Sequence, residues 1–105
     1  MRLFYVDESG NTGADLTSQV EPIHWLCAIG VTPAAVHAIE AEMLGIAIKY
    51  FRARGGEADF ELHGSAIFSG RGDCRTLTVA QRVSLYADVV GLVARHGCHV
   101  WVRGI

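Results

Sequence analysis

The chain has little cysteine, little net charge and no long apolar run. Its three cysteines, Cys27, Cys74 and Cys98, are odd in number, widely separated and never in a Cys-x-x-Cys pair. That argues against a disulfide framework and a thiolate zinc site, and it fits a reducing cytoplasm. Net charge is −2, so the molecule has no general electrostatic pull on nucleic acid, and any such contact has to be local. Two loose basic groups, Lys49 with Arg52 and Arg54, and Arg71 with Arg75 and Arg82, read as solvated faces. No apolar stretch approaches the length of a membrane span, and the N-terminus carries no charged leader followed by a hydrophobic segment. The expectation is a soluble, cytoplasmic protein with no membrane contact.

Half of the 105 residues are apolar and 19% are charged, the balance of a folded interior rather than a disordered tail. At this length residues 1–105 form one domain, near the lower limit for a core without staples. Arg2 to Asp7 reads as a strand with apolar residues on both faces, the pattern of a central strand. A polar, turn-rich segment follows, and Ile23 to Val31 is a second apolar strand, expected to pair antiparallel with the first. Thr32-Pro33 supplies an N-cap and a first-turn proline for a helix that runs to Gly55-Gly56. Its stripe is Val36, Ile39, Met43, Ile46 and Tyr50, widened by Leu44, Ile48 and Phe51, so the helix should touch more than one neighbour.

Phe60-Glu61-Leu62-His63 alternates as a short strand or extended segment, and residues 64–76 read as a Gly- and Ser-rich loop. Thr78 and Gln81 match a capping box, and Val79, Val83, Tyr86, Val90 and Val93 form the amphipathic stripe of a second helix that stops at Gly97. Cys98 to Arg103 is a last strand. The order predicts an α/β fold, a mixed sheet with helices packed on it.

The chemistry centres on Asp7 and Glu8, delivered by the first strand into the turn Ser9-Gly10-Asn11. A partly buried carboxylate needs a donor, a cation or a metal ion. One reading makes Asp7 the acceptor in an Asx-type turn with Ser9, Gly10 or Asn11, and leaves Glu8 in solvent. A second makes Asp7 a ligand for Mg²⁺ or Mn²⁺, hard cations held by one or two carboxylates and substrate phosphates. Glu61 then supplies the partner acid, because Glu61 and His63 share a face opposite the anchoring Phe60 and Leu62. His63 would orient the scissile phosphate or move a proton, and a metal pair could activate water against a phosphodiester. On their own, Glu61 and His63 also fit an exposed strand face. A third reading is a phosphate-binding turn of the actin and sugar-kinase type, although the glycine comes one residue late for Asp-x-Gly-Thr. A haloacid-dehalogenase-type phosphatase wants an aspartate where Ser9 stands. His24, His37, His96 and His99 lack ligand spacing and read as structural.

"FYVDESGNTG", "HWLCAIGV" and "FELHGSAIFSG", in this order, resemble the domain-of-unknown-function 3800 family. That family opens with hydrophobic-Asp-Glu-Ser-Gly, carries a Glu-x-His segment and is assigned to the ribonuclease H-like superfamily. The resemblance implies a ribonuclease H-like fold and metal-dependent cleavage of nucleic acid, with Asp7 and Glu61 as ligands, Glu8 in support and His63 assisting. A further helix bearing the last acidic ligand should follow the strand at Cys98 to Arg103, and it is absent. The resemblance therefore covers the N-terminal part of the family domain. The chain is expected to be a fragment, or a shortened relative with an incomplete metal site whose open surface a second copy covers. The alternative from another class is a non-catalytic binding or assembly module that keeps the fold without the chemistry.

Overall fold

In the computed structural model, residues 2–9 and 25–104 are described. They form a mixed α/β structure: strands β1 (Leu3–Ser9) and β2 (Trp25–Val31), helices α1 (Pro33–Phe51), α2 (Gly64–Ser69) and α3 (Val79–Arg95), and strand β3 (His99–Gly104). Two short 3₁₀ segments, Arg52–Gly56 and Gly72–Thr76, follow α1 and α2. The sheet is antiparallel with order β1-β2-β3, and its register sets Asp7 against Cys27 and Cys27 against Val102.

The expected antiparallel pairing of the first two strands is present, but β1 is not central. It lies at one edge of the three described strands, and β2 holds the middle. Its apolar residues stay exposed on both faces, Leu3 and Tyr5 on one and Phe4 and Val6 on the other. A two-sided apolar pattern states that both faces seek cover; it does not say where in the strand order the segment falls. β1 also runs two residues beyond the expected Asp7, through Glu8 and Ser9.

The start of α1 matches expectation, with the Thr32 hydroxyl accepting from the Ala35 N–H. The helix ends at Phe51, earlier than the Gly pair, because Arg52 adopts φ 55° and the chain doubles back as a 3₁₀ turn. Gly55 allows that reversal. A Cβ there would run into the Ala47 carbonyl and stand 2.9 Å from the Ile48 nitrogen. α1 faces two neighbours, but Leu44 and Ile48, expected to widen its stripe, stay exposed. Ile46 and Phe51 enter the main core, while Val36 and Ile39 face the sheet across a cavity of about 290 Å³.

The core lies among the helices. Ile46, Phe51, Ile67, Cys74, Leu85 and Leu92 are buried together, with Phe60, Leu62 and Leu77 packed against them. Residues 64–76, expected as a loop, instead form α2 and a 3₁₀ turn. Ile67 and Cys74 are buried, and this burial outweighs the weak helical preference of Gly and Ser. Gly70, at φ 70°, ends α2 in the left-handed conformation.

The capping box of α3 is formed, Thr78 N–H to Gln81 Oε1 at 2.8 Å and Gln81 N–H to Thr78 Oγ1 at 3.1 Å. Its buried side is not the expected stripe. Leu85 and Leu92 face the core, while Val79, Val83, Tyr86 and Val90 are exposed and Val93 is half-buried beside the sheet. α3 thus has apolar residues on two sides, and periodicity alone does not rank them. α1 and α3 are clasped by Lys49 to Asp88 at 2.8 Å, Tyr50 O–H to Asp88 at 2.7 Å, and Glu42 to His96.

Two outcomes follow. Leu85→Ala should lower unfolding free energy by about 2–5 kcal/mol in urea titration, because the side chain is fully buried among large neighbours. Gly55→Ala, which adds a single methyl group, should cost about 1–3 kcal/mol by overpacking against the α1 backbone, whereas Gly56→Ala, with open space around it, should cost far less.

Candidate functional site

β1 carries Asp7 on the same side of the sheet as Tyr5, which faces the helices across the cavity shared with Ile29, Val31, Val36 and Leu92. Glu8 takes the opposite face, because successive strand residues alternate. The contact between the two acids runs through backbone: the Glu8 N–H donates to Asp7 Oδ1 at 2.8 Å. The donor to Asp7 among the described residues is thus Glu8, one residue ahead of the turn donors considered from sequence. Gly10 and Asn11, and with them the glycine of the phosphate-binding reading, lie outside the described residues.

The second half of the site is built by the segment between α1 and α2. Phe60 and Leu62 pack against the core as expected, with the Phe60 ring 5.0 Å from that of Phe51. Their burial turns Glu61 and His63 outward, and the two side chains approach to 3.2 Å. The segment is extended but has no ladder partner among the described residues, so it is not a strand.

Around these two residues lies a cavity of about 220 Å³ lined also by Arg54, Asp59 and Asp73. Arg54 dominates it. Its guanidinium donates to Glu57 at 2.6 Å, to Asp59 at 2.7 Å and to Asp73 at 3.1 Å, and lies over the Phe60 ring. The hydrogen bonds it donates to Asp73, Asp59 and Glu57 raise its pKa further above the ordinary guanidinium value. The Arg54 hydrogen bond in turn holds the Asp59 carboxyl below its usual value. Three acids of this region therefore share one internal cation, while Glu61 stands outside that network with His63 as its neighbour.

Sequence reasoning missed this arrangement. Asp59 and Asp73 are fourteen residues apart, and residues 64–76 resembled a loop, so nothing in the spacing announced that Arg54 would gather them. Of the six basic residues expected on solvated faces, Arg52, Arg71 and Arg75 are exposed as expected, and the other three are engaged internally. Lys49 is tied to Asp88, Arg54 to three acids, and Arg82 to the Ile67 and Phe68 carbonyls at 2.9 and 2.7 Å. Of the histidines read as structural, His96 pairs with Glu42, His37 lies 3.9 Å from Glu40, and His99 stacks on Trp101; His24 lies outside the described residues.

The structure brings Glu61 and His63 together. Among the described residues Asp7 shares no hydrogen bond, ion pair or cavity with them. No group of three His, Cys, Asp or Glu side chains suited to a metal ion occurs among the described residues. Among the described residues no single helix is long and apolar enough to cross a membrane. No family model, curated protein or solved structure matches the chain.

The Arg54 network has a pH signature. Asp59 is held below its ordinary value near 3.8, so it contributes stability above that pH, and the contribution is lost as pH falls through the lower, folded value. Arg54→Met should lower the thermal midpoint at pH 7, with the gap to the parent chain narrowing below pH about 4 as the carboxylates protonate. Thermal melts followed by circular dichroism from pH 3 to 7 measure this.

Proposed function

We propose that the chain is a ribonuclease H-like domain acting in metal-dependent cleavage of phosphodiester bonds in nucleic acid, in the cytoplasm. Asp7 and Glu61 are its ligands for Mg²⁺ or Mn²⁺, Glu8 steadies Asp7, and His63 assists. The observation that supports this best is the freedom of Glu61. Arg54 takes up Glu57, Asp59 and Asp73, and Glu61 is left exposed beside an imidazole 3.2 Å away. A carboxylate with no internal cation other than a titratable histidine is suited to an external one.

The donor chemistry fits the ion. Mg²⁺ takes oxygen ligands, commonly only one or two carboxylates, and completes its shell with water and substrate phosphates, so a cluster of three protein ligands is not a requirement. When bound, such an ion supplies an activated water and charge stabilisation for the departing oxygen. The protein's part is positional. Phe60 and Leu62 pin the Glu61 segment to the core, the β1–β2 register holds Asp7, and His63 is placed to hold or pass a proton.

The second reading, a non-catalytic binding or assembly module, is favoured by the separate placement of Asp7 and Glu61, which share no hydrogen bond, ion pair or cavity among the described residues. Calorimetric titration with Mn²⁺ separates the two. The nuclease reading expects Asp7→Asn and Glu61→Gln each to weaken Mn²⁺ binding at least tenfold while circular dichroism stays unchanged. His63→Ala should keep the metal and lose about a hundredfold in cleavage of a labelled oligonucleotide. Mn²⁺ binding that survives both carboxylate substitutions would remove the proposed site.

A further inference from the structure

The exposed side of α3 is an apolar surface that the proposed chemistry leaves unused. Phe68 is 90% exposed, Val79 67%, Val83 65%, Tyr86 59% and Val90 48%. On α3 the spacing of Val79, Val83, Tyr86 and Val90 is four, three and four, the repeat by which one helix meets another along a seam. The core has its own α3 contacts in Leu85 and Leu92, and among the described residues nothing covers this stripe.

Beside the stripe lies a groove of about 420 Å³, lined by Ile67, Phe68, Val79, Arg82, Val83 and Tyr86. Five of its six lining residues are apolar or aromatic; Arg82, the sole charged one, directs Nη1 to the carbonyls of Ile67 and Phe68, while its Nε is buried with no partner among the described residues. A wall so largely apolar suits an apolar side chain. A projecting apolar side chain, Phe68, stands on its rim.

We infer that α3 and Phe68 form a two-fold interface between two copies of this chain, each copy's Phe68 entering the other's Val79–Val83–Tyr86 groove. A two-fold contact requires one patch to carry both the projection and the hollow that receives it, and this patch carries both. The five apolar residues expose on the order of 600 Å², and the exposed Ala80 and Ala87 along the same helix extend the patch toward the roughly 800 Å² per partner of a standard interface. Small side chains there also let a second helix approach closely.

The experiment is sedimentation velocity on the 105-residue chain from about 1 to 100 μM, with and without phosphatidylcholine vesicles. The wild type should sediment at twice the 11.4 kDa monomer mass within that range. Val83→Lys should raise the dissociation constant at least a hundredfold and Phe68→Ser at least tenfold, both with unchanged circular dichroism because the parent side chains are exposed. Val6→Lys, on the exposed outer face of the sheet, should leave the dimer intact. A wild type that stays monomeric at 100 μM, including one that binds vesicles instead, overturns the inference. So does a dimer that survives both α3-side substitutions or is lost on Val6→Lys.

Discussion

The structure depends on one packing event, the burial of Leu85 and Leu92 of α3 against Ile46 and Phe51 of α1, closed beneath by Ile67 and Cys74. This cluster lies among helices rather than between helices and sheet. α1 and α3 contribute rigid faces. The segment from Arg52 to Leu77 wraps around them because its apolar residues, Phe60, Leu62, Ile67 and Leu77, have nowhere else to go. The placement of Glu61 and His63 is a consequence, since they are the alternate residues of a segment whose neighbours are nailed to the core.

The sheet is held differently. It meets the helices at a seam of Tyr5, Ile29 and Val31 against Val36, Ile39 and Leu92, and much of its apolar surface remains open. Hydrophobic stabilisation scales with the area removed from water, so the helical layer carries most of it and the sheet comparatively little. Asp7 belongs to the lightly held layer, and Glu61 to the firmly held one. Any chemistry that joins them requires the two layers to act as one body, and this ties the catalytic question to the packing question.

Electrostatics divides the acids into two groups. Arg54 collects Glu57, Asp59 and Asp73 in a partly exposed fork, an arrangement whose value lies in geometry, since solvent screens each pair. Glu42 and Asp88 serve the α1–α3 clasp, where hydrogen bonds from His96 and Lys49 hold their carboxyl groups below the usual range. Asp7, Glu8 and Glu61 lie outside both networks among the described residues.

Local chemistry was legible in the sequence wherever a residue type admits one structural meaning. Thr32-Pro33 and the Thr78–Gln81 box opened the helices they announce, the Phe60–Leu62 anchors turned Glu61 and His63 outward, and β1 paired antiparallel with β2. What only the tertiary structure decided were choices between equivalent faces and partners. α3 offers two apolar sides, and the core took Leu85 and Leu92 rather than the valine stripe. β1 offers two apolar faces, and the strand order placed it at an edge. Arg54 had several acids within reach along the chain, and the 3₁₀ reversal at Arg52 selected its three. Periodicity and propensity act over a few residues, whereas these selections depend on which surfaces the folded chain brings together.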